Sequence, residues 1–273
     1  MRKTIIMSGG LGNQMFQYAF YLSMKSKGID CRIDDTLFYT AKMHNGFELD
    51  RVFSIPERLD KPSRLKKIWF RTLRRYKPSL FLCTDRVYQY CPEVYEANQP
   101  YLMGDWLSTS YFKDIEDKVR EQFSFKNIGR RNVEMTNIMQ SSNSVSIHIR
   151  RGDYLNLPNY CVCDEEYYRK AINAIKEKVS QPIFFVFSND PDWCDAFMRL
   201  FDVEFRIINW NQGFDSHQDM FLMTQCRHNI IANSTFSWWG AWLNAHSGKT
   251  VVAPRVWFKK NSYNINCPGW HLI

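Results

Sequence analysis

The chain has 273 residues, 45% of them apolar and 23% charged, with 36 Lys and Arg against 28 Asp and Glu for a formal charge of +8. These proportions exclude a disordered chain, a collagen-like repeat and a long coiled coil, and the length suits one large domain or two of about 100 to 150 residues. The charge argues against a nucleic-acid partner, because it is confined to one segment: Lys61 to Lys77 holds eight basic residues and no acid, and the remainder balances at 28 basic and 28 acidic.

The N-terminal run Met1 to Met7 begins like a signal peptide, but its apolar stretch stops at Ser8-Gly9-Gly10, too short for an h-region. It reads instead as a strand from Thr4 to Met7, followed by a glycine-rich turn at Ser8 to Gly12 and a helix from Asn13 to Lys27. In the basic segment, Leu65, Ile68, Trp69, Leu73 and Tyr76 recur on one face of a helix. That face has two uses: packing on its own domain with the basic side solvated, or lying on an anionic membrane surface. Strands are expected near Val87 to Tyr90 and Tyr101 to Gly104, and a helix from Ser110 to Glu121. The polar stretch Lys126 to Arg131 then marks a boundary between domains 1–130 and 131–273.

The second half alternates regularly. Ser144 to Ile149, Ile183 to Phe187, Val203 to Ile208, Asn229 to Ala232 and Thr250 to Ala253 read as short buried strands. Helical patterns lie between them at Glu165 to Val179, Pro191 to Phe201, Ser216 to Cys226 and Thr235 to His246. Strands alternating with helices make a parallel sheet covered on both faces, an α/β fold whose ligands bind at the carboxyl ends of the strands. The longest apolar block has five residues, so no segment spans a membrane, and eight cysteines without a CxxC pair suit free thiols in the cytoplasm.

Three strand-to-helix loops carry the chemistry. In Gly9-Gly10-Leu11-Gly12-Asn13-Gln14 the glycines admit a ligand close to the backbone and Asn13 offers a donor, although a tight turn without ligand has the same composition. His148-Ile149-Arg150-Arg151-Gly152-Asp153 sets two guanidiniums at a strand end, where they need an anion: Asp153 itself, or a diphosphate. Asn233-Ser234-Thr235-Phe236-Ser237-Trp238-Trp239 sets hydroxyls at a helix N-terminus, with Phe236 able to stack on a flat ring and both tryptophans suited to the core. Asp190-Pro191-Asp192 reads either as a capped helix start or as a divalent-metal site for a nucleotide diphosphate.

Together the stretches GGLGNQMFQYAF, HIRRGDY, FSND and NSTFSWWGAWL resemble the α-1,2-fucosyltransferases, the inverting, GDP-fucose-dependent glycosyltransferases of family 11. The resemblance covers most of the chain but no motif within Thr36 to Pro100, and Thr235 stands where many members have serine. It implies a GT-B-type fold, two Rossmann-like domains facing a nucleotide-binding cleft, with the acceptor-side domain first and the GDP-fucose-binding domain second. It implies transfer of L-fucose from GDP-β-L-fucose to the 2-hydroxyl of a galactose-terminated, lipid-linked or free oligosaccharide, with no metal and no other cofactor. Carried onto this chain, Arg150 and Arg151 contact the diphosphate and Asp153 orients them or touches the donor. Asp190 reads guanine or ribose. His148, Asn233, Ser234, Thr235, Phe236 and Ser237 line the donor pocket, and Gly10, Gly12, Asn13 and Gln14 close over the sugar. Arg150, Asp153 and Asn13 are the expected catalytic residues. The acceptor's base stays open among Asp153, Glu165 and His148. Two other readings remain: a metal-dependent nucleotide-sugar transferase using Asp190 and Asp192, and a non-catalytic glycan- or nucleotide-binding protein. The expected location is the cytoplasm, with the basic segment offered to the inner face of the membrane.

Overall fold

In the computed structural model the described residues are all but 42–43, 58, 60, 84–88, 152–161 and 260–264. They form two compact units, Met1–Lys126 and Asn127–Ile273.

The first unit contains strand β1 (Lys3–Ile6), helix α1 (Leu11–Ser26), β2 (Cys31–Asp34), the short helices α2 (Thr36–Thr40) and α3 (Leu49–Val52), α4 (Arg64–Tyr76), β3 (Phe81–Cys83), β4 (Tyr101–Met103) and α5 (Glu116–Gln122). Its four strands run parallel in the order β2-β1-β4-β3. Helix α1 starts at Leu11 and not at Asn13, so the glycine-rich turn is two residues shorter than expected and Gly12, Asn13 and Gln14 belong to the first helical turn. Gly9 makes this possible at φ +75°, a left-handed conformation that a side chain disfavours. The strand expected at Val87 to Tyr90 falls partly outside the described residues; the third strand is the earlier Phe81–Cys83. Where one helix was expected over Ser110 to Glu121, two 3-10 turns precede the shorter α5.

Helix α4 forms within the basic segment, capped by Ser63, whose hydroxyl accepts from the Lys66 N–H at 3.1 Å. It is docked by Phe70, 2% exposed, which packs with Ile6, Leu37 and Phe81. The apolar stripe meets the sheet only along one edge: Leu73 is partly buried against that cluster and the Trp69 ring lies 6.2 Å from Tyr101, while Leu65, Ile68 and Tyr76 are exposed.

The second unit contains α6 (Arg130–Gln140), β5 (Ser144–Ile149), α7 (Glu165–Lys178), β6 (Ile183–Ser188), α8 (Pro191–Met198), β7 (Glu204–Ile208), α9 (His217–Gln225), β8 (His228–Ile230), α10 (Thr235–Leu243), β9 (Val251–Ala253) and β10 (His271–Leu272). Its six parallel strands run β10-β9-β8-β5-β6-β7, the doubly wound order of a Rossmann sheet. Strand alternation sorts the core into two layers. Val145, Ile147, Ile149, Phe184 and Val186 pack with α7 and α8, whereas Phe185 and Phe187 meet α6 and α9 at Met139, Leu222 and Met223. The second set of β5 positions, Ser144, Ser146 and His148, therefore points toward the layer of α6, α9 and α10. Trp238 and Trp239 are fully buried, in the core role open to them.

Candidate active site

Open α/β sheets take ligands outside the carboxyl ends of the strands where their winding reverses. In the second unit this switch point lies between β5 and β8, which are hydrogen-bonded neighbours with Ile147 opposite Ile230. The residues leaving β5 are His148 to Arg151, and those leaving β8 run to Ser234 at the N-cap of α10. Two loops more than 80 residues apart in sequence thereby meet at one edge.

The Arg150-Arg151 turn is held from below and from one side. The Arg150 N–H donates to the Tyr168 hydroxyl at 3.3 Å, and that hydroxyl donates to the His148 carbonyl at 3.1 Å. The Arg151 N–H donates to Asn189 Oδ1 at 3.1 Å, its Nε donates to Asp190 Oδ2 at 3.1 Å, and its guanidinium lies 3.8 Å from the Trp193 ring centroid. Asp190 also caps α8, accepting from the Trp193 N–H at 3.4 Å, with Pro191 in the first turn. Both oxygens of Asp190 thus serve the helix cap and the arginine, and a metal at Asp190 and Asp192 would have to displace those contacts. Among the described residues no cluster of His, Cys, Asp and Glu is arranged to hold a metal ion. Asp153 lies outside the described residues.

His148 is 7% exposed and sits 5.9 Å from the Phe236 ring, centroid to centroid. Burial, reinforced by the charge of Arg150, pushes its imidazole down to about 3, so it is neutral across the physiological range. Its Nδ1 has no hydrogen-bond partner among the described residues. A buried polar atom without a partner costs stability, and such atoms are kept where a ligand uses them.

At the start of α10, Ser234, Thr235 and Phe236 are partly exposed and Ser237 is buried. Ser234 has no side-chain bond back to the helix it caps, while the Ser237 hydroxyl donates to the Ser234 carbonyl at 3.3 Å. Asn233 is buried and donates to the Trp257 carbonyl at 3.0 Å, tying the loop to the C-terminal segment.

In the first unit β1 and β4 are hydrogen-bonded neighbours, and the glycine turn after β1 meets Asp105 after β4. Gln14 is fully buried and wholly engaged: its amide donates to the carbonyls of Gly9 (3.0 Å) and Gly46 (2.9 Å), and its oxygen accepts from the Glu48 N–H at 2.9 Å. Gly12 is buried and Gly10 is the N-cap of α1. Asn13 is partly exposed, and it hydrogen-bonds the Asp105 carboxylate, which also accepts from Gln17 Nε2 at 3.2 Å. Burial raises the Asp105 carboxyl above the ordinary range, against the pull of those two bonds. Asp105 belongs to no motif in the sequence. Its position two residues past a strand is the one signal that could have singled it out.

The whole chain, residues 2–273, matches the model of Glycosyl transferase family 11. It is 34% identical to the alpha-1,2-colitosyltransferase of Escherichia coli, over 94% of this chain and 93% of that protein. It is 35% identical to the O-antigen biosynthesis glycosyltransferase WbnK of Escherichia coli over 94% and 95%, and 30% identical to galactoside alpha-(1,2)-fucosyltransferase 2 of Rattus norvegicus over 88% and 66%. The solved fucosyltransferase NodZ from Bradyrhizobium shares the fold, with a TM-score of 0.58 over 88% of this chain and 93% of that one at 14% identity. The parallel α/β architecture is of the expected GT-B type. The chain is a glycosyltransferase, and it belongs to glycosyltransferase family 11.

Proposed function

We propose that the protein transfers L-fucose from GDP-β-L-fucose to the 2-hydroxyl of a galactose at the end of an oligosaccharide, free or lipid-linked, inverting the anomeric carbon and needing no metal. The observation that carries this reading is the meeting of the Arg150 turn and the Ser234-to-Ser237 helix start at the β5/β8 switch point. As the bond from the anomeric carbon to the phosphate oxygen breaks, negative charge grows on the leaving diphosphate. The guanidinium of Arg150, on a backbone held by Tyr168, and the dipole of α10 stabilise that charge more in the transition state than in the ground state. Arg151 is held by Asp190 and Trp193 and shapes the turn that presents Arg150. Neutral His148 offers Nδ1 to a donor group, and Phe236 offers a face for the base.

The acceptor oxygen bonds to the anomeric carbon from the side opposite the diphosphate and releases its proton. We place Asn13, fixed by Asp105, on the sugar side of the reaction. Its role is to orient the sugar or the incoming hydroxyl.

The 34% identity to an alpha-1,2-colitosyltransferase supports a second reading, in which the transferred sugar is colitose. Colitose is L-fucose without its 3-hydroxyl, so the two readings share leaving group, linkage and stereochemistry. The test is transfer from GDP-L-fucose and from GDP-colitose to a panel of galactose-terminated acceptors, with the product linkage read by NMR. An α-1,2 fucosyl product formed in the presence of EDTA supports the proposal. Transfer from GDP-colitose alone replaces it with the second reading. Loss of transfer on chelation restores the metal-dependent alternative, and GDP binding without transfer to any acceptor assigns a binding protein.

A further inference from the structure

We propose that α4 is a membrane-docking helix that lays Leu65, Ile68, Trp69 and Tyr76 into the interface of an anionic phospholipid leaflet. These four side chains are 78%, 51%, 51% and 67% exposed. At 100° per residue Ile68, Leu65 and Tyr76 fall, with Thr72, on the sector opposite Phe70, the side chain that docks the helix on its own sheet. Trp69 flanks that sector, its ring 6.2 Å from Tyr101 and half exposed beyond it, so the stripe faces away from the protein except at this edge.

Scatter does not account for it. Among the described residues eleven large apolar side chains are exposed, and four of them belong to this one stripe. Isolated apolar residues on a surface need no explanation, but a contiguous group marks a contact.

The charges around the stripe select the partner. Residues 61–77 hold eight basic residues and no acid. Among the described residues only Lys66 of α4 has an ion-pair partner, Asp34 at 2.6 Å. Arg71, Arg74 and Arg75, with Thr40 and Phe70, line a hollow of about 260 Å³ beside the apolar sector. Guanidiniums converging on a hollow suit phosphate oxygens, and the apolar residues next to them suit acyl chains. Tryptophan and tyrosine at the edge of a basic amphipathic helix match the depth of the headgroup boundary. A second copy of the chain is the poorer occupant, since symmetric pairing would bring two such basic clusters together without counter-charge.

This inference stands on residues 64–76 and is independent of the donor chemistry. The test is cosedimentation of the full chain with vesicles of pure phosphatidylcholine and of phosphatidylcholine mixed with phosphatidylglycerol. Retention is expected on the mixed vesicles alone and should weaken as salt rises. Each basic residue removed should lower the partition coefficient about five-fold, so Arg71→Gln, Arg74→Gln and Arg75→Gln together should lower it about 100-fold. Ile68→Ser with Trp69→Ser should abolish retention, while circular dichroism and GDP affinity stay as in the parent. Failure of the parent chain to bind the mixed vesicles overturns the proposal, as does binding that both sets of substitutions leave unchanged. So does a dimer in sedimentation equilibrium that Ile68→Ser with Trp69→Ser converts to monomer, because the stripe then belongs to a second copy. GDP affinity is a separate readout, so failure on vesicles and failure of the donor reading are distinguishable.

Discussion

Arg151 and Asp190 join the ends of two neighbouring strands, with Nε of the arginine donating to Oδ2 of the aspartate at 3.1 Å while the guanidinium covers the Trp193 ring. The aspartate does two jobs, since its other oxygen caps α8. The two jobs are separable by substitution. Asp190→Ala loses both and should lower stability by about 1 kcal/mol through the lost cap, with a rise in donor KM. Asp190→Asn still caps the helix but leaves Arg151 without a counter-charge, so the KM rise should remain and most of the stability return. Urea midpoints and donor kinetics on both variants check this. Equal destabilisation would show that Asp190 supplies something other than the cap.

The Arg150 backbone is fixed from below, through the Tyr168 hydroxyl. If its guanidinium meets the diphosphate, Arg150→Ala should cut kcat by about 10²-fold or more and weaken GDP binding. Single-turnover transfer and calorimetry with GDP read the two effects. A near-normal kcat would remove Arg150 from the donor site.

Asn13 is placed by a bond to Asp105, which follows β4 of the first unit's sheet. Asn13→Ala should therefore lower kcat, by about ten-fold or more for the loss of one orienting contact, with GDP affinity unchanged. Weakened GDP binding in this variant would move Asn13 to the nucleotide side.

The strand-to-helix loops were legible in the sequence because each carries local chemistry: glycines at a turn, arginines at a strand end, a capping aspartate before Pro191. The order of the strands was not, because nothing local says that β8 lies beside β5; only pairing across about 80 residues brings Arg150 and Ser234 to one edge. Asp105 was missed for a related reason, since a lone acid gains meaning from a neighbour far away in sequence. Periodicity disclosed the apolar stripe of α4 but not its direction, which Phe70 decides. Helix α6 was passed over because its opening, Arg130-Arg131-Asn132, is polar, and its four apolar members Val133, Met135, Ile138 and Met139 do not fall on one clean face.

Gly240 lies inside α10 where that helix crosses α9, and a Cβ there would stand 2.9 Å from the Met223 Cβ. That atom is at the root of its side chain and cannot swing aside, so the two helices must separate. Gly240→Ala should destabilise the protein by about 1 to 3 kcal/mol, despite the better helix propensity of alanine. Thermal unfolding measures it. An unchanged or higher melting temperature would mean that the helices part without loss.

Asp219, in the first turn of α9, is largely buried and accepts from Asn211 Nδ2 at 2.8 Å, and burial pushes its carboxyl from 3.8 up to about 7. The folded chain therefore keeps a proton there that the unfolded chain has already released between about pH 4 and pH 7. Across that window the unfolded state binds fewer protons, so this group's contribution to stability is complete below the window and is lost as pH rises through it. The width of the window sets an upper bound of about 4 kcal/mol on the loss. Asp219→Asn keeps the oxygen that Asn211 needs and carries no charge in either state, so it should match the parent near pH 4 and exceed it near pH 8. Urea titrations at the two pH values decide it: a variant weaker than the parent at the higher pH would show that the fold uses Asp219 as the carboxylate, with its pKa on the other side of the ordinary value.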